Sequence, residues 1–145
     1  MEKLAALCCL WVFGFGAKAE YTAELDRLFL EDPKNDFLLE LEDLANDGAA
    51  AWEKISPLVE SSLNADKFGK ELFAALEKIY NENRLAPLEF GERRLHMLYN
   101  LPRKISDNEP FHSLFFADIP YDEFYDEERT REIYQKAFDY YKEKP

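Results

Sequence analysis

Histidine and cysteine are scarce in this sequence, and their scarcity removes whole classes of chemistry. The chain has two histidines, His96 and His112, and two cysteines, Cys8 and Cys9. It contains no His-Glu-x-x-His, no Gly-x-Ser-x-Gly and no glycine-rich phosphate loop. The motifs that announce zinc proteases, serine hydrolases and nucleotide-binding folds are therefore missing. His96 follows Glu92 by four residues, a spacing that sets both on one helical face. Zinc takes three or four ligands, so this pair falls short of a site. His112 beside Ser113 makes no catalytic pair, because neighbouring side chains face apart. No metal, no cofactor and no catalytic residue is expected.

Also lacking is an apolar run of the about 20 residues that a membrane-spanning helix needs. The one candidate, 4–17, is shorter and contains Gly14 and Gly16. It follows Met1-Glu2-Lys3 and closes on Ala17-Lys18-Ala19, with small residues at the last and third-last positions of a signal-peptidase site. Residues 1–19 are therefore expected to be an export signal, cut between Ala19 and Glu20, with 20–145 as a single acidic helical domain. The competing reading is a buried N-terminal core helix, and Glu2 favours that competitor because signal n-regions are normally free of acid. A lipoprotein anchor is disfavoured, since neither Cys8 nor Cys9 follows a small residue. Cutting at Ala19 removes both cysteines, and the chain has no Asn-x-Ser/Thr acceptor. Disulfide-free export suits the bacterial periplasm or the extracellular space better than the eukaryotic secretory route.

What the chain has in excess is acid. Thirty Asp and Glu against 18 Lys and Arg give a formal charge of −12. Such a charge opposes nucleic acids and anionic lipid, and it draws basic partners or cations. Phenylalanine and tyrosine are plentiful too, so the chain is no disordered acidic tail.

The apolar period is helical along the chain. Tyr21, Leu25, Leu28 and Phe29 form one stripe, ended by Asp32-Pro33, and Phe37, Leu38, Leu41 and Leu44 form a second behind a cap at Asn35 or Asp36. A third carries Trp52 and Ile55 and is expected to kink or restart at Ser56-Pro57. Phe68, Leu72, Phe73, Leu76, Ile79 and Tyr80 make the clearest stripe, with Asp66 as its expected cap. A fifth helix runs from Pro87 or Leu88 to Tyr99 after an exit at Asn81-Glu82-Asn83, and the last is expected over about 122–143, with Phe124, Tyr125, Ile133, Tyr134, Ala137, Phe138 and Tyr141 inward and Glu127 paired with Arg131 at i, i+4. Phe37, Glu40 and Leu41 align with Phe68, Glu71 and Leu72, a faint repeat. The fold class is all-α: an irregular bundle of about five to six antiparallel helices with some helical-repeat-like stacking.

Between the last two helices, 100–120 reads as a long connection rich in Pro and Phe, an uncommon feature inside a domain. It adjoins the densest acidic cluster, Asp118, Asp122, Glu123, Asp126, Glu127 and Glu128, interleaved with Tyr121, Phe124 and Tyr125. Calcium-loop spacing is absent there. The bland reading is acid complementing the positive end of a helix dipole. The functional reading is a recognition surface for a basic protein, made of Asp118, Tyr121, Asp122, Glu123, Tyr125, Asp126 and Glu127 with Phe111, Phe115 and Phe116. An exported protein of this kind would bind and neutralise a basic partner by occlusion, as inhibitors and immunity proteins do. The alternatives are a structural component of an envelope assembly and a carboxylate-dependent hydrolase.

Overall fold

The computed structural model describes residues 1–117 and 125–143. Among them the elements are α1 (Glu2–Val12), α2 (Lys18–Glu31), α3 (Asp36–Asp43), α4 (Gly48–Ser61), α5 (Ala65–Asn81), α6 (Pro87–Asn100), α7 (Arg103–Ser106), α8 (Phe111–Leu114) and α9 (Glu127–Tyr140). No strand occurs among the described residues, and none of their helices is long and apolar enough to cross a membrane.

Side-chain caps set four of the starts. Asn35 accepts from the Leu38 N–H, Asp47 from Ala50, Asn64 from Lys67 and Asp126 from Arg129, at 2.9 to 3.1 Å. Each satisfies an amide that the first turn leaves without an intrahelical acceptor. Pro87 opens α6, where its missing N–H costs nothing. Two expected boundaries in the middle of the chain move. The cap of α5 is Asn64 rather than Asp66, and α4 runs on through Pro57 to Ser61. Ile55 and Val59 flank that proline and are both buried, so core packing holds the helix across the lost hydrogen bond.

The centre of the molecule is α1. Every residue from Leu4 to Leu10 is buried, and a helix buried on all sides is a hub. It packs against α2, α4 and α5. The turn into α2 uses Gly14 and Gly16 at φ +86° and +79°, a region L side chains rarely adopt. The segment expected to leave as an export signal is thus the central helix of this structure. The Ala19–Glu20 bond lies in the first turn of α2. Glu24 on α2 is only 6% exposed, and it takes Arg27 at 2.5 Å and Lys3 of α1 at 3.8 Å. The Arg27 hydrogen bond is the main reason its carboxyl sits below the ordinary range. Cys8 and Cys9 are buried free thiols. Burial pushes Cys8 up to about 12, so neither is a nucleophile in the folded chain.

Nine helices among the described residues replace the five to six expected. The N-terminal segment adds one. The stretch expected as a long connection adds two single turns, α7 and α8, whose Ile105, Phe111 and Leu114 are buried in the core. The last helix starts at Glu127 rather than near Asp122, because Asp126 is its cap.

Candidate functional site: an aromatic-floored cleft

Tyr80 ends the apolar stripe of α5, Phe90 lies in the first turns of α6, and Tyr134 faces inward from α9. Their rings pack as a triad with centroids 5.1 to 5.2 Å apart. The triad floors a cavity of about 360 Å³ where the end of α5, the start of α6 and the start of α9 meet. From below, Phe15 meets Phe90 edge-on at 5.4 Å, so the turn after α1 supports the floor.

The walls are polar but almost neutral. Asn81 and Asn83 come from the end of α5 and its exit, where Asn83 adopts φ +53°. Thr130 and Gln135 come from α9, with Tyr125 just ahead of it, while Leu85 and Pro87 close the apolar side. Glu127 and Arg131 also line the cavity, one turn apart and ion-paired at 2.5 Å. Behind Tyr134 lies Arg94, which is 0% exposed. Its guanidinium sits 5.7 Å from the Tyr134 ring centroid and donates to the Leu114 carbonyl.

Burial pushes the Tyr134 phenol up to about 12, against the pull of Arg94, and raises Tyr80 as well. Both hydroxyls therefore stay protonated at physiological pH, able to donate and to accept. Thr130 is buried, and its Oγ1 has no hydrogen-bond partner among the described residues.

The structure divides the recognition surface expected from the sequence. Tyr125 and Glu127 line the cleft, and an open hollow beside it is lined by both, together with Asp126, Glu128 and Arg131. Asp126 spends one carboxylate oxygen on capping α9. Phe111 is 2% exposed and packs on Phe73 at 4.9 Å and Phe68 at 6.5 Å, so it belongs to the core. Phe115 is half-buried against Tyr99, while Phe116 is 58% exposed beside His112. Asp118, Tyr121, Asp122 and Glu123 lie outside the described residues. Glu92 and His96 are both exposed, and the His96 ring stacks edge-on against Phe13 at 5.4 Å. Among the described residues, no group of three or more His, Cys, Asp or Glu is placed to hold a metal ion.

Sequence reasoning placed Tyr80 and Tyr134 on inward stripes without seeing that they meet. Arg131 reads from the sequence only as an i, i+4 partner of Glu127, and Asn81 and Asn83 only as a helix exit, while Thr130 and Gln135 carry no signal. Comparison with known protein families, curated proteins and solved structures finds no match to this chain.

Proposed function

We propose that this chain is a binding protein whose recognition site is the cleft between α5, α6 and α9, held by an irregular helical bundle built around α1. One observation carries the reading: a half-open cavity floored by packed aromatic rings and walled by amides, hydroxyls and a closed ion pair. Such sites bury a small ligand on their apolar surface and orient it with a few polar groups. A screen of small-molecule fragments against the full chain, observed through amide chemical shifts, tests it. The expected shifts concentrate on 80–90 and 127–135. Shifts scattered over the surface, or none, would remove the reading.

A second reading keeps the partner expected from the sequence, a basic protein that this chain neutralises after export. Its support is the exposed aromatic strip, with Tyr99 75% exposed, Phe116 beside His112, and a formal charge of −12. Charge would steer the encounter and the rings would supply the buried contact. Export with cleavage at Ala19 requires 20–145 to stand without α1, which makes that reading testable by the same truncation discussed below.

A further inference from the structure

We propose that the cleft takes a small, uncharged, hydroxyl-rich ring, the chemistry of a single saccharide unit. This rests on the binding reading above and names its ligand.

Charge comes first. Glu127 and Arg131 neutralise each other at 2.5 Å, and Arg94 is buried behind Tyr134 with its guanidinium donating to the Leu114 carbonyl. A ligand with net charge would leave water and find no uncompensated opposite charge in the lining, which is a costly transfer. A neutral ligand escapes that cost.

Hydrogen-bonding type comes second. The amides of Asn81, Asn83 and Gln135 and the phenols of Tyr80 and Tyr134 each donate and accept. The matching ligand group is one that also does both, and a hydroxyl is the simplest. Thr130 adds an independent observation. The residue lines the cavity, and its buried hydroxyl has no hydrogen-bond partner among the described residues. Buried polar groups in folded proteins are ordinarily satisfied, so a turn about χ1 that brings this one into the cavity would gain its bond from a ligand. A ligand hydroxyl is a partner of the right kind.

Shape comes third. The faces of aromatic rings are electron-rich and attract weakly positive C–H edges. A pyranose presents such C–H groups on one face and hydroxyls around its rim, a match for a lining of aromatic residues, amides and hydroxyls. A cavity of about 360 Å³ sits at the small end of ligand sites, with room for a ring rather than a polymer.

The test is calorimetric titration of the full chain with methyl glucoside, methyl galactoside and methyl N-acetylglucosaminide. Glucosamine and glucuronate serve as charged counterparts, and indole as a non-sugar aromatic. At least one neutral glycoside is expected to bind with a Kd at or below roughly 1 mM, and more tightly than either charged sugar. Thr130→Val should weaken it about fivefold or more while raising the Tm of the ligand-free protein, because it deletes a hydroxyl that only the ligand satisfies. Asn81→Ala, at an exposed position, should also weaken binding with the fold intact. Charged sugars binding as well as neutral ones, or Thr130→Val leaving affinity unchanged, would overturn the inference. Indole binding in the cleft while every glycoside fails would overturn it and leave the binding reading standing. Failure of every probe, in this titration and in the fragment screen, would remove both.

Discussion

Deleting residues 1–19 should unfold this protein, and the size of the effect follows from what α1 buries. Leu4, Leu7 and Leu10 lie in the helix, with Phe13 and Phe15 in the turn after it, and all five are no more than 8% exposed. Fully burying a side chain of this size contributes about 1.5–3 kcal/mol, so the five together contribute roughly 8–15 kcal/mol. That matches the entire stability of an ordinary domain, about 5–15 kcal/mol. The deletion also uncovers the faces of α2, α4 and α5 that pack on α1, and it takes Phe15 from beneath Phe90. Thermal melts followed by circular dichroism, with the full chain as reference, give the readout. The expectation is a cooperative transition for 1–145 and none for 20–145. If 20–145 melted cooperatively within a few degrees of the full chain, the hub role of α1 would be refuted and a leader cut at Ala19 would be supported.

Three smaller perturbations test separate parts of the structure. Phe111→Ala should cost about 3–5 kcal/mol, read from denaturant midpoints, because the ring is packed between Phe68 and Phe73; a loss near zero would return Phe111 to the surface. Asp126→Ala should cost about 1 kcal/mol and fray the first turn of α9, seen as faster amide exchange at Arg129. Unchanged exchange there would mean another group caps the helix. Glu42 is held above the ordinary carboxylate range by burial first, then by its hydrogen bond to Asp26 and that group's charge. A carboxyl whose folded pKa is raised costs stability once pH exceeds that pKa, and costs nothing below its unfolded value. Glu42→Gln should therefore raise the Tm at pH 7, with the gain fading as pH falls through the carboxylate range; a gain that persists in acid would contradict this.

The legible parts of the fold were those that a single helix determines for itself. The stripe of Phe68, Leu72, Phe73, Leu76 and Ile79 declares α5, and Asn35 and Pro87 mark their helix starts without help from elsewhere. Asp126 was harder, because several carboxylates near it could cap equally well and only backbone geometry chooses among them. The segment 4–17 shows where composition alone stops. An apolar run closing on Ala-x-Ala has the same letters whether it meets a peptidase or a ring of helices. The cleft was invisible for a different reason. Tyr80 and Tyr134 have correct inward periods, but their meeting, and the amides and ion pair around them, arises only when α5, α6 and α9 converge.

The most direct test of the cleft is a spectrum of the full chain with its tyrosine rings isotope-labelled, recorded with and without each of the three neutral methyl glycosides. A ligand seated on the aromatic floor is expected to shift the Tyr80 and Tyr134 ring signals and to leave those of Tyr21, buried against Trp11 elsewhere in the core, unmoved. Unmoved Tyr80 and Tyr134 signals under saturating glycoside, or shifts confined to the exposed Tyr99, would contradict the account.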